Sequence, residues 1–308
     1  MRETLAIAVI GAGLMGHGIA LTLARAGHLV TLADPQAEVR ASLCGRIAES
    51  LRLMGEDEPV IAAILERIAV VERVAEAVGT AAFVFEAAPE KLALKQALFA
   101  EIEAAAPAEA ILASNTSVMP ITRIMEGLRD RRRALGTHWW NPPHLIPLVE
   151  VIRTEDTSEA AMAATMALLA DAGKTPVRVE KDVPGFIGNR LQHALWREAI
   201  SLVERGICDA EAVDNVVKAS FGRRLAVLGP LENADLVGTD LTLDIHDTVL
   251  ADLEHRPGPS PLLRRMVGEG RLGMKSGEGF RRWTPEEARA ARDLVARHLR
   301  ALEELLDT

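Results

Sequence analysis

Two residues carry the strongest chemical signal in the sequence. His138 lies in Gly136-Thr137-His138-Trp139-Trp140-Asn141-Pro142-Pro143, at the end of a run that reads as a strand, and Glu150 follows twelve residues later inside the apolar run LVEVI. A carboxylate inside such a run needs a partner when it is buried, and His138 is the obvious one. A Glu–His bond would fix the imidazole tautomer, turn the other ring nitrogen toward a substrate and stabilise the imidazolium. Removing hydride from a secondary alcohol leaves a proton on oxygen, and imidazole is suited to accept it near neutral pH. Each residue alone has a plainer reading: a hydrogen-bonded structural histidine, and a strand-edge charge facing water.

Other polar groups fall at neighbouring strand ends. Ser114, Asn115, Thr116 and Ser117 follow the short run 110–113 and offer hydroxyl and amide groups to a substrate oxygen, with turn capping as the competing reading. Asn189 follows Pro184-Gly185-Phe186 near the start of a long helical pattern, positioned to face a cleft between domains or simply the helix surface. Ahead of all these stands Gly11-Ala12-Gly13-Leu14-Met15-Gly16, a GxGxxG turn placed directly after one strand and opening a helix. Gly11 permits the tight turn, Gly13 lets backbone approach a pyrophosphate, and Gly16 allows helix and strand to pack closely. The phosphates would rest on the amides that begin the helix, at Leu14 and Met15. Asp34 ends the second strand, where a carboxylate accepts ribose hydroxyls and repels a 2′-phosphate; no arginine follows until Arg40, which favours NAD over NADP. FAD is the minor rival, without a second flavin-binding feature to support it.

The elements that must position these residues alternate. Runs at 5–10, 29–33, 68–71, 82–85 and 110–113 read as buried strands, and 134–138, 148–152 and 176–179 are further candidates. Helical patterns cover 14–26 and 92–105, while 36–66 reads as a helical excursion with Pro59 as its break. The alternation argues an α/β fold, an N-terminal Rossmann-type doubly wound sheet over residues 1–183. Beyond Pro184-Gly185 the strands stop: Ile187, Leu191, Leu195 and Leu202 make a helical stripe, and residues 184–308 read as an all-helical second domain ending in a helix over Pro285–Leu306.

Composition narrows the classes. The 308 residues carry a formal charge of −9, with only a short arginine cluster at 129–133, which speaks against nucleic acid as a partner. Two cysteines far apart in sequence indicate neither a disulfide framework nor a zinc site, and no metal is expected. The apolar run after Met1 is too short for a signal peptide and no stretch is long enough to span a bilayer, so a cytoplasmic protein without membrane contact is expected.

Several motifs occur together and in order: GAGLMG, EAAPEKLALK at 86–95, SNTS at 114–117, HWWNPP at 138–143 with LVEVI, DVPGFIGNR at 182–190, and GRLGMKSGEGF at 270–280. Nearly the whole chain thereby resembles the 3-hydroxyacyl-CoA dehydrogenases and their relatives that act on small hydroxy acids. The resemblance implies an NAD-dependent enzyme that oxidises a 3-hydroxyl to the ketone. It implies His138 as general base, Glu150 as its orienting partner, and Ser117, Asn141 and Asn189 around the substrate. Glu90 and Lys95 fall where the family contacts the nicotinamide half of NAD, and Asn115 is counted with the cofactor-binding residues. A helical C-terminal domain that forms a homodimer is implied as well. The acyl-CoA branch tends to carry lysines in the excursion after the second strand; here it has Arg46, Arg52 and, at its end, Arg67 amid Glu49, Glu56, Asp57 and Glu58, with no lysine. That departure weakens the case for CoA, and the similarity of 138–152 and 182–209 makes compact free acids such as gulonate, carnitine or a pyridine aldehyde-carboxylate of vitamin B6 breakdown the alternative to an L-3-hydroxyacyl-CoA or related 3-hydroxy acid as substrate. With the aldehyde, His138 would activate water. His144 is read as an exposed loop histidine, with a substrate carboxylate as its sharper alternative. A non-enzymatic, crystallin-like NAD-binding protein is the alternative of another class, opposed by the joint presence of His138, Glu150, Ser117 and Asn189.

Overall fold

A computed structural model describes residues 3–306 of the chain. Eight strands form one sheet: β1 (Ala6–Ile10), β2 (Leu29–Ala33), β3 (Ile68–Val71), β4 (Phe83–Glu86), β5 (Ile111–Ser114), β6 (Ala134–Trp139), β7 (Leu148–Ile152) and β8 (Thr175–Val179). Their order is β3-β2-β1-β4-β5-β6-β7-β8. Neighbours are parallel except β6 and β7, which run antiparallel. All eight anticipated strands are present, with ends shifted by one residue at most. The strands are apolar runs because the sheet is covered on both faces. In β1, Ile7 and Val9 enter one core with Leu23, Leu43 and Met162, while Ala8 and Ile10 enter the other with Phe99, Ile102 and Ile124. The result is a three-layer α/β unit.

Chain order reverses between β1 and β4, so the crevice at their carboxyl ends is the place where ligands bind in such sheets. Helix α1 (Leu14–Arg25) leaves that crevice. The excursion is two helices, α2 (Ala37–Met54) and α3 (Glu58–Leu65). The break differs from the expectation. It lies at Gly55, whose φ of 90° ends α2, and at Asp57, whose side chain caps α3. Pro59 sits in the first turn of α3, where its missing N–H has no helical partner to lose.

The chain divides into two compact units, one running to Arg190 and rejoined from Ala296 onward, the other Leu191–Val295. The second is helical, with isolated bridges at Gly273, Glu278 and Arg282. Its apolar side chains are poorly covered: the helices Ala210–Ala219, Pro230–Val237 and Thr239–Val249 contain no buried residue. Of the anticipated stripe, Leu191, Leu195 and Leu202 lie on the helix Gly188–Glu204 and Ile187 just precedes it, but Leu191 is 56% and Leu195 41% exposed.

Candidate active site

His138 and Glu150 are directly opposed in the antiparallel β6–β7 register. Opposed residues of an antiparallel pair project to the same face with their Cβ atoms a few ångströms apart, which explains their spacing in sequence. His138 Nδ1 lies 2.7 Å from Glu150 Oε2, and both side chains are buried. Because an ionised carboxylate only accepts, Nδ1–H is the donor and Nε2 is left as the basic nitrogen. The imidazole is flanked by Trp140 and Phe186, with ring centroids at 5.2 and 5.6 Å.

The second Glu150 oxygen, Oε1, accepts the backbone N–H groups of Ile187 (2.8 Å) and Gly188 (3.0 Å), where the helix Gly188–Glu204 begins. Two successive residues with positive φ, Gly185 (75°) and Phe186 (50°), turn the chain so that these amides face the carboxylate. A non-glycine residue held there costs about 1–3 kcal/mol and persists where its surroundings demand it. Burial alone would raise the Glu150 carboxyl, but the bonds from His138, Gly188 and Ile187 outweigh it and hold the group below the usual carboxylate range. The dyad thus contains a carboxylate held in its ionised form at neutral pH.

The polar turn after β5 meets the same helix. Asn189 Nδ2 donates to the carbonyl oxygen of Ser117 at 2.7 Å, and Glu90 accepts from the Ser117 amide (2.5 Å) and from Thr116 Oγ1. Asn115 Oδ1 accepts the Trp139 amide at 2.9 Å, tying the end of β5 to the end of β6. Asn141 lies past the end of β6, exposed, before a cis bond to Pro142. His144 is not an exposed loop residue. It packs on α1, with its ring 5.9 Å from that of His17 and its Nδ1 buried, and desolvation with nearby His17 and Lys174 pushes its pKa down to about 4.

At the β1–α1 turn a side chain has no room at two glycines. A Cβ on Gly11, whose φ is 101°, would lie 2.9 Å from Ala87 O, and one on Gly16 would lie 1.7 Å from Gly11 O. A Cβ on Gly13 meets no protein atom within 4 Å. Gly11 and Gly16 are therefore required by the fold, whereas Gly13 borders open space at an uncapped helix start, the arrangement a dinucleotide pyrophosphate fits. Asp34 closes the turn: Oδ2 accepts the Ala12 amide at 2.8 Å and Oδ1 that of Gln36 at 2.9 Å.

Residues 6–183 match the sequence model described as 3-hydroxyacyl-CoA dehydrogenase, NAD binding domain, and residues 185–283 match that family's C-terminal domain. The chain belongs to the 3-hydroxyacyl-CoA dehydrogenase family. Its cofactor is NAD, and it is an NAD-dependent dehydrogenase of this family. Among the family's members, 5-formyl-3-hydroxy-2-methylpyridine 4-carboxylate 5-dehydrogenase of Mesorhizobium japonicum is 37% identical over 98% of each chain. A probable 3-hydroxybutyryl-CoA dehydrogenase of Bacillus subtilis is 39% identical over 89% of this chain and 96% of its own. A solved structure of a 5-formyl-3-hydroxy-2-methylpyridine 4-carboxylic acid 5-dehydrogenase, described as an NAD+-dependent dismutase, superposes with a TM-score of 0.92 at 35% identity, covering 99% of both chains. The (S)-3-hydroxybutyryl-CoA dehydrogenase PaaH1 of Ralstonia eutropha superposes with 0.76 at 32% identity, over 92% of this chain and all of its own.

Sequence reasoning overlooked Glu86 as a buried, bonded group. Its carboxylate is completely buried at the end of β4 and accepts from Lys95 Nζ, the Ala88 amide and Ser114 Oγ, each at 2.7 Å. The signal that marks Glu150, a carboxylate in an apolar run, is equally present in FVFE. Lys95 stands nine residues on as the cation it requires.

Proposed function

We propose that the protein oxidises a compact free carboxylate substrate, a small hydroxy acid or an aldehyde acid, with His138 as base and Glu150 as its orienting partner. The observation that carries this reading is the buried His138–Glu150 bond anchored on the Ile187 and Gly188 amides. With Nδ1–H held by the carboxylate, Nε2 takes the hydroxyl proton of an alcohol, or a proton of the water that adds to an aldehyde carbonyl. Glu150 then balances the imidazolium. NAD bound at the β1–α1 turn supplies the hydride acceptor. In this reading Ser117, Asn141 and Asn189 orient the substrate. Gly11, Gly13, Leu14, Met15, Gly16, Asp34, Glu90 and Asn115 shape the cofactor site.

The choice of a free acid over a CoA thioester rests on where the cations of the excursion are spent. Arg40 bonds the Asp34 and Pro35 carbonyls and Glu72, Arg46 bonds the Ala12 carbonyl, and Arg52 bonds Glu58. Residues 36–66 contain no lysine, so a multiply charged CoA phosphate finds little there to bind. The relative that acts on a pyridine aldehyde-carboxylate also matches the chain from end to end. The test is NADH formation by the purified protein with gulonate, carnitine, 3-hydroxybutyrate, 5-formyl-3-hydroxy-2-methylpyridine 4-carboxylate and 3-hydroxybutyryl-CoA. The fastest turnover is expected on one of the four free acids; a clear preference for the thioester overturns the substrate class, and NADH from none of them overturns the enzymatic reading in favour of a structural one.

The reading extends to a homodimer built on the helical unit, supported by its uncovered apolar residues, such as Leu231 (80% exposed) and Leu236 (69%). The −9 charge argues against nucleic acid. No helix among the described residues is long and apolar enough to cross a membrane. Two unpaired cysteines, Cys44 exposed and Cys208 half-buried, suit a reducing cytoplasm.

A further inference from the structure

We propose that Lys174 is a positioning residue for the reaction: its ammonium staples the loop 140–147, which joins the His138 strand to the Glu150 strand, and so fixes the Trp140 ring against the base. The proposal rests on the dehydrogenase reading above and adds to it a residue that acts through the loop. Strand β6 ends at Trp139 and β7 begins at Leu148. Between them Pro142, Pro143 and Pro147 bring no N–H, so carbonyl acceptors outnumber amide donors in the loop. A carbonyl left unpaired away from water is costly. The Leu145 and Ile146 amides both donate to the Pro142 carbonyl at 3.0 Å, and the Thr175 amide donates to that of Pro147 at 2.9 Å. The carbonyls of Pro143 and Ile146 accept from Lys174 Nζ, at 2.6 and 3.0 Å.

Lys174 is itself well placed to hold the loop. It immediately precedes β8, whose Thr175 lies opposite Leu148 at the start of β7 in the parallel register. Its Nζ sits 5.7 Å from the centroid of the buried Trp139 ring, a contact that favours a cation there. Bonds from a charged donor are also stronger than those from a neutral one. One side chain thus ties the middle and the end of the loop to the sheet. The first loop residue carries the effect to the dyad. The Trp140 and His138 ring centroids are 5.2 Å apart. The same indole packs so closely on Gly188 that a Cβ there would lie 2.4 Å from Trp140 Cζ2. Gly188 is the residue whose amide holds Glu150 Oε1 at 3.0 Å. The indole is therefore seated against both the base and the anchor of its partner, and a loop released at Pro143 and Ile146 shifts it from that seat.

The experiment compares wild type with Lys174→Met, which removes both bonds, and Lys174→Gln, which keeps an N–H donor on a shorter stem and supplies the comparison if Lys174→Met does not fold. Three quantities are measured well below the melting temperature. They are kcat at saturating NAD on the panel compound that wild type oxidises fastest, amide hydrogen exchange on peptides covering 140–147 and 159–171, and the His144 pKa by NMR. Expected in both variants is a loss of about tenfold to a hundredfold in kcat. Exchange should quicken at 140–147 and stay as in wild type at 159–171. His144 should titrate above the value of about 4 that burial, His17 and Lys174 together give it. A folded variant with wild-type kcat overturns the proposal even if its melting temperature is lower, because that result marks a merely structural role. Wild-type protection at 140–147 overturns it as well. If wild type oxidises none of the panel, the dehydrogenase reading falls on its own. Exchange at 140–147 and the His144 pKa then decide the staple, with wild-type values in both variants counting against it.

Discussion

Replacing Glu150 with glutamine keeps the shape of the side chain and removes its charge, and the bonds around the carboxylate determine the consequence. The amides of Ile187 and Gly188 donate to Oε1 at 2.8 and 3.0 Å, so the glutamine carbonyl oxygen settles there. Its NH2 group then faces His138 Nδ1, where Oε2 stood at 2.7 Å. Two donors cannot share that bond, so the imidazole moves its proton to Nε2 and the nitrogen meant to act as base becomes a donor. A hydrogen bond to a charged group is worth about 1.5–3 kcal/mol. With the lost support of the imidazolium, the barrier rises by about 3–4 kcal/mol, or roughly 10²–10³ in kcat. The assay is initial-rate NADH formation on the best substrate of the panel, with NAD affinity and thermal melting as controls. NAD Kd should stay within about threefold. A Glu150→Gln protein that retains wild-type kcat while folded refutes the tautomer assignment.

Other expectations arise from the same geometry. Gly13→Ala should melt like wild type yet bind NAD at least about tenfold more weakly, since its Cβ meets no protein atom, whereas Gly16→Ala should lower the melting temperature because its Cβ collides with Gly11 O; equal behaviour of the two variants contradicts the reading of the turn. The His144 pKa of about 4, against 6.5 when unfolded, means the unfolded chain takes up the proton first. Stability attached to this group is therefore complete above about pH 6.5, declines as pH falls toward 4, and levels off below. The full effect is at most about 3 kcal/mol, and about 1–2 kcal/mol after solvent screening. Denaturant unfolding of wild type and His144→Asn at pH 7 and pH 5 should show the difference shifting in the variant's favour at the lower pH, and a constant difference speaks against it. Glu150 has the same sign: its lowered carboxyl contributes stability above the unfolded value, lost as pH falls through the folded one. Glu150→Gln should accordingly flatten the acid limb of the stability curve, and an unchanged limb counts against the shift.

Much of this was legible in the residues because buried parallel strands write themselves as short apolar runs closed by glycine or a polar residue, as in 5–10 before Gly11. The His138–Glu150 pairing was legible for a related reason, since a carboxylate in an apolar run must find a partner. The antiparallel turn that makes them cross-strand neighbours was not, because Trp140 through Pro147 contains no glycine and so none of the Asn-Gly or Asp-Gly pairs that mark a tight hairpin. Pro59 misled because proline both breaks helices and begins them, and only the Asp57 cap and the Gly55 backbone decide which. His144 misled in the same way: a polar residue beside two prolines looks like exposed loop, but it fills the space against Gly18 and His17 on α1. The Ile187 and Gly188 amides carry no side-chain signature at all, and their part in holding Glu150 emerges only from the backbone at Gly185 and Phe186.

The most direct test is NADH formation by wild type and His138→Gln, side by side, with NAD titration of both. Wild type should reduce NAD with one of the free acids of the panel, and His138→Gln should lose at least about 10³ in kcat while binding NAD within about threefold of wild type. Retained turnover in the folded His138→Gln protein would contradict the assignment of His138 as the base.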